Sequence, residues 1–258
     1  MKLQLGKYFL DWKELFRPGA FKYFDSFVDF QIEKVFENTA SNEKALFLSE
    51  LCRLAYIKDN HLRAEVLNTY GMVEDFSFSR KGCQLYGLSF TDATVQQKII
   101  CFRGTDDVFD YKHIFTLGKS KFSKGGEVYR GFYSSFLNIE ETIEKLSSQY
   151  SNSKVWLVGH SLGGVLALMS ACYFKNPELN VFGIPKVGDC RFNENLMEMV
   201  INYYHLDGDF IEYLPFDKSF EKLNCQLIPS VKLNNRSCPT LLYSHAPIAY
   251  SLNISLRV

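Results

Sequence analysis

Residues 155–174, VWLVGHSLGGVLALMSACYF, contain no Asp, Glu, Lys or Arg and are flanked by Lys154 and Lys175. By length alone such a run could cross a bilayer as one helix. Its composition argues otherwise, because Gly159, Gly163, Gly164, His160 and Ser161 interrupt its first half. The same hydropathy arises when a buried strand turns sharply into a buried helix. A strand that reads as an unbroken apolar run has both faces covered, which is the signature of a parallel sheet between helical layers. This segment therefore constrains the chain to an α/β architecture, and no transmembrane span is expected from it.

The rest of the sequence fits around that unit. Residues 43–57 read as a helix, with Leu48, Leu51, Cys52 and Ala55 at i, i+3, i+4 and i+7 on one buried stripe. Short extended pieces follow at Phe76–Ser79, Cys83–Phe90, Lys98–Phe102 and Glu127–Arg130, and residues 132–149 carry a helical pattern. After the central unit come a strand at Val181–Gly183, a helix over 191–199, a strand at Val200–His205 and a helical tail beyond 245. Strands alternating with helices imply a mainly parallel central sheet with helices on both faces, edged by antiparallel strands from the 76–102 meander. No polar linker divides the elements, so residues 1–258 are expected to form one domain. Residues 1–40, rich in aromatics and with cancelling charges, are expected as an N-terminal extension packed on it.

Composition removes several classes of function. The 258 residues carry 29 basic and 29 acidic side chains, a formal net charge of zero. A nucleic-acid binder needs a basic excess to hold phosphates, so no nucleic acid is expected as a partner. The seven cysteines are odd in number and none lies at CxxC spacing, which argues against a disulfide framework and a zinc cluster. A single Cys225–Cys238 bridge stays open. No metal and no cofactor is expected. The segment MKLQLGKYFLDWKELFRPG has charges in every apolar run, so no Sec signal is expected. The corresponding localisation is cytoplasmic, or export by a leaderless route. The sequons at Asn235 and Asn253 carry no meaning without a secretory context.

Gly159-His160-Ser161-Leu162-Gly163 is a G-x-S-x-G motif between an apolar strand and a helix. That setting is the nucleophile elbow, where a strained turn lifts the serine hydroxyl above the sheet. Side chains at 159 or 163 would collide with neighbouring backbone, and the helix N-terminus lies beneath any anion that develops there. Neither of the common phosphate-loop patterns is present.

A serine hydroxyl needs a base, and the base needs a carboxylate to fix its tautomer. On an elbow of this kind the chain order is Ser, acid, His. Of the five histidines, only His205 and His245 follow Ser161. His205 lies inside a strand as a packed residue, whereas His245 sits in a loop after every acidic residue, so His245 is the expected base. Asp209 is the favoured acid, because Asp207-Gly208 has its own role as turn chemistry. Asp207 is the next candidate, and Asp189 and Asp217 are weaker ones. An oxyanion hole should combine the Leu162 N–H with that of Thr105, in the Arg103-Gly104-Thr105 loop after the KIICF strand.

Together these residues resemble the class 3, or fungal-type, lipase family of the α/β-hydrolase fold. The matching pieces are Phe102–Thr105, Val128–Phe132, Gly159–Gly164, Phe182–Asp189 and Asp209–Pro215, closed by His245. The resemblance covers residues 43–255. It implies Ser161, Asp209 and His245 as the triad, and Thr105 and Leu162 at the oxyanion hole. Lys186, Asp189, Tyr111 and Glu212 depart from the family's usual Arg, Asn, Trp and Pro, and these are scaffold positions. The implied activity is hydrolysis of lipid esters through an acyl-enzyme. A phospholipase A-type activity and a non-catalytic regulatory or binding role are the alternatives. The resemblance also implies a lid within 106–126, whose apolar residues and Lys119, Lys121 and Lys124 would contact a lipid interface.

Overall fold

A computed structural model describes residues 2–5, 8–11, 42–57, 59–81, 83–91, 97–104, 118–216, 220, 230–233 and 244–255. The elements are β1 (Lys2–Leu5), β2 (Tyr8–Asp11), α1 (Asn42–Leu54), α2 (Asn60–Thr69), β3 (Met72–Arg80), β4 (Cys83–Phe90) and β5 (Gln97–Arg103). They continue with β6 (Lys119–Lys121), β7 (Glu127–Tyr129), α3 (Arg130–Phe136), α4 (Glu140–Gln149), β8 (Lys154–His160) and α5 (Leu162–Ala171). The last are β9 (Glu178–Phe182), α6 (Cys190–Glu194), β10 (Val200–Leu206), a 3-10 turn at Ile211–Tyr213, β11 (Ser230–Leu233) and α7 (Pro247–Ser255).

The central sheet has seven strands in the order β11-β10-β9-β8-β5-β4-β3. β5, β8, β9, β10 and β11 run parallel, and β4 and β3 are added antiparallel at one edge. Alternation along the central strands divides the core into two. Val155 and Leu157 of β8, with Ile100 and Phe102 of β5, face the layer that contains α3, α4 and α5. Trp156 and Val158, with Ile99 and Cys101, face the layer of α1 and α7. Both faces being covered is why β8 reads as a continuous apolar run.

Several sequence expectations need correction. Residues 132–149 form two helices, not one: the Asn138 side chain donates to the Ser134 and Ser135 carbonyls and closes α3 before α4 begins. The helix after Ser161 ends at Ala171 rather than 174, and the helix of 191–199 is shortened to Cys190–Glu194. α1 is buried on all sides from Lys44 to Leu54, not along one stripe, because it lies between the sheet and α7. Its charges are neutralised internally, with Lys44 on Glu178 at 3.1 Å and Arg53 on Glu50 at 2.9 Å. α2 and β11 were not expected from the sequence. Of residues 1–40, only the backbone of the β1–β2 hairpin is described.

Among the described residues no helix is long and apolar enough to cross a membrane. Cys52, Cys83, Cys101, Cys172 and Cys190 are free thiols, and Cys225 and Cys238 lie outside the described residues.

Candidate active site

The site lies at the carboxyl ends of the parallel strands, where loops that leave successive strands converge. β8 ends at His160, and Ser161 follows as the first residue of the turn into α5. Its backbone sits at φ 57°, ψ −128°, a region that non-glycine residues rarely occupy and that costs of order 1–3 kcal/mol. The turn is held by the Ser161 N–H donating to the Phe182 carbonyl at 3.0 Å and the Val165 N–H donating to the Ser161 carbonyl at 3.2 Å.

The flanking glycines are required by space. A Cβ on Gly159 would lie 2.4 Å from the Gly163 carbonyl, and one on Gly163 would lie 2.2 Å from the Phe102 carbonyl oxygen. Gly104 is also a matter of space: a Cβ there would sit 2.2 Å from the Tyr56 hydroxyl and 2.8 Å from the His160 carbonyl. Gly104 therefore lets the β5 exit pack closely against the elbow.

His245 precedes α7 and turns its ring toward the elbow. Its Nε2 lies 2.9 Å from Ser161 Oγ, and its Nδ1 lies 2.8 Å from Asp209 Oδ2. Asp209, 1% exposed, follows β10 by three residues. Its carboxylate accepts three bonds: the Ile211 N–H on Oδ1 at 2.9 Å, and His245 Nδ1–H with the Tyr250 hydroxyl, at 2.7 Å, on Oδ2. With Nδ1 donating to a carboxylate, Nε2 is the unprotonated nitrogen that accepts from Ser161. Burial, and then the neighbouring Asp209, push the Tyr250 phenol well above its ordinary range, so it remains a donor. Such a chain can withdraw the serine proton and stabilise the imidazolium that results.

The other acidic candidates separate cleanly. Asp207 is exposed and pairs with Lys232 at 3.3 Å. Asp189 caps α6, its Oδ1 accepting from Phe192 N at 2.9 Å and Glu127 N at 3.0 Å. Asp217 lies outside the described residues. His205, expected as a packed core residue, is half-buried with Nδ1 3.7 Å from Glu212.

Leu162 opens α5, where the first helical N–H groups have no intrahelical acceptor. Thr105, the expected second donor, lies outside the described residues, as does most of the expected lid, 106–117. Its remainder, 118–126, contains β6, which pairs with β7. Lys119 bonds Glu127 at 3.3 Å, and Lys124 stands over the Tyr173 ring. Among the described residues no group of three His, Cys, Asp or Glu side chains could hold a metal ion.

Sequence reasoning missed Tyr250, Gly183 and Tyr56. Gly183, at φ +55°, is where a Cβ would approach Tyr250 Oη to 2.5 Å and Asp209 Oδ2 to 2.9 Å, so it makes room for the acid and its phenol. The only hint to Tyr250 was its place five residues beyond His245, on the following helix. Nothing in a single sequence marks Tyr56.

Residues 99–218 match the class 3 lipase family. Among curated proteins it is similar to secreted mono- and diacylglycerol lipase 2 of Gibberella zeae, 34% identical over 92 residues, covering 32% of this chain and 22% of that one. It is 22% identical over 182 residues to secreted mono- and diacylglycerol lipase MDL3 of Malassezia globosa, covering 54% of this chain and 60% of that one. Toxin TseL of Vibrio cholerae is 30% identical over 98 residues, 35% of this chain and 15% of the toxin. The chain thus spans less than two thirds of the length of these relatives. Among solved structures, a deletion mutant of the Rhizomucor miehei lipase propeptide complex superposes with a TM-score of 0.63 at 18% identity, over 84% of this chain and 78% of that one. A mutant form of MDLA from Penicillium cyclopium gives 0.61 at 18% identity, over 78% and 83%. These likenesses show that the chain has the α/β-hydrolase fold.

Proposed function

We propose that the protein is a serine hydrolase that cleaves carboxylic esters of lipids. The observation that carries this reading is the unbroken hydrogen-bonded chain from Ser161 Oγ through His245 to Asp209 Oδ2. The match of residues 99–218 to the class 3 lipase family supports the choice of lipid esters.

In the proposed reaction Ser161 Oγ bonds to the ester carbonyl carbon while its proton passes to His245 Nε2. The carbonyl electron pair moves onto oxygen, which the Leu162 and Thr105 N–H groups would receive, each such donor lowering the barrier by ~2.7–4 kcal/mol. Collapse of this intermediate breaks the bond to the alcohol, which leaves with the proton from Nε2. Water, deprotonated by the same nitrogen, then releases the acid and restores Ser161. Asp209 keeps His245 in the required tautomer throughout.

The test is a hydrolysis panel of acylglycerols, simple esters of increasing chain length and phospholipids, with Ser161→Ala as the blank. Ser161-dependent release of fatty acid from acylglycerols supports the reading. Release confined to phospholipids redirects it to a phospholipase, and no Ser161-dependent release from any substrate would sink it. Contact of segment 106–126 with a lipid surface is a separate proposal, read as a rate increase when a soluble ester reaches its aggregation point. A flat rate through that point removes it.

A further inference from the structure

The residue before the nucleophile is itself a buried histidine that the proposed reaction does not use. His160 is 2% exposed, and its ring lies 4.7 Å from the His245 ring, centroid to centroid, at 35°. On another side Tyr250 meets it edge-on at 5.6 Å. Its Nδ1 is 3.1 Å from the Tyr56 hydroxyl, at the C-terminal end of α1. The space for that hydroxyl exists only because residue 104 is glycine.

We infer that His160, braced by Tyr56, is a positioning residue for His245: its ring forms the wall that fixes the imidazole plane reaching from Asp209 to Ser161. Among the described residues the catalytic ring is bonded at its two nitrogens, to Asp209 and Ser161. Two such bonds define a line and leave rotation about it, so a surface against one face is needed to set the plane. His160 supplies that face, and the Tyr56 bond stops His160 from rotating about its own Cβ–Cγ axis. The groups facing the pair are Tyr56 and Tyr250 around His160, and Asp209 and Ser161 around His245.

An imidazole suits this place only if it stays uncharged beside a histidine that must accept a proton. Burial, and then the nearby His245, hold the His160 pKa well below its ordinary value, and the His245 carbonyl offsets only part of this. The wall therefore remains neutral when His245 becomes charged.

The inference rests on the hydrolase reading for its consequence in rate, and a spectroscopic readout separates the two. Tyr56→Phe, His160→Phe and the double variant keep rings at both sites and remove the bond between them. Each single variant should lower kcat and the rate of fluorophosphonate labelling of Ser161 by about tenfold, with KM within about twofold. The double variant should be no slower than the slower single one, because Tyr56 acts through His160. The low-field NMR proton of His245 Nδ1–H should shift or broaden in both. Folded variants with unchanged rates and an unmoved resonance would overturn the inference, as would losses that multiply in the double variant. If the wild-type protein shows no Ser161-dependent hydrolysis, the hydrolase reading alone falls, and the Nδ1–H resonance still decides this one.

Discussion

Tyr250 and His245 bond the same oxygen of Asp209, Oδ2, at 2.7 and 2.8 Å, so the acid is held from α7 as well as from its own loop. Tyr250→Phe removes one donor from a buried carboxylate while leaving the ring in place. A hydrogen bond to a charged group contributes about 1.5–3 kcal/mol. The variant should lose about that much stability in urea unfolding, and kcat should fall roughly tenfold as Asp209 gains freedom to turn from His245. The loss should be the same at pH 6 and pH 9, because the raised phenol does not ionise in that range.

Asp207 and Asp209 stand two residues apart and have opposite surroundings. Asp209→Asn should keep the fold and lower kcat by on the order of 10⁴, since an amide can hold the imidazole in the wrong tautomer. Asp207→Asn should change the rate less than twofold, because Asp207 is an exposed partner of Lys232. Parallel hydrolysis rates for the two variants check this. Equal losses would mean that the acid has been assigned to the wrong residue.

Gly163 packs against the end of β5. In Gly163→Ala the new Cβ, 2.2 Å from the Phe102 carbonyl oxygen, would have to displace main chain rather than a mobile side chain. Overpacking of this kind costs typically 1–3 kcal/mol and sometimes more. The expected result is a lower unfolding midpoint together with loss of fluorophosphonate labelling, because the same shift moves the Ser161 turn.

The buried His160 makes stability depend on pH with a definite sign. In the unfolded chain its imidazole titrates near 6.5. In the folded protein burial keeps it neutral well below that value. The unfolded state therefore binds the extra proton first, and stability falls as pH drops through about 6.5, by at most about 1.4 kcal/mol per pH unit from this group. Urea midpoints between pH 5 and 8 should slope less steeply in His160→Phe. Identical slopes would remove His160 as the source.

What the sequence made legible follows from where single residues dominate the energetics. The elbow could be read from Gly159–Gly163 because strained backbone and close packing leave few residue choices there. His245 and Asp209 could be read because chain order restricts the candidates, and the structure brings both to Ser161. α2 escaped notice because only Arg63 and Leu67 of its residues are buried, which leaves little apolar period to detect. The split between α3 and α4 depends on Asn138, whose backbone bonds compete with a helix pattern that the apolar residues continue. The all-round burial of α1 depends on partners far away in sequence, Lys44 with Glu178 being 134 residues apart. Tyr56 and Tyr250 belong to the same class: each acts through a long-range bond that no local pattern encodes.

The central claim is that one hydroxyl, Ser161 Oγ, is made nucleophilic by His245. Its most direct test is to treat the folded protein with a fluorophosphonate and locate the adduct by peptide mass spectrometry. The account predicts a single adduct on Ser161, absent in Ser161→Ala and slowed by orders of magnitude in His245→Ala. An adduct on a different residue, or full labelling of Ser161→Ala, would contradict it.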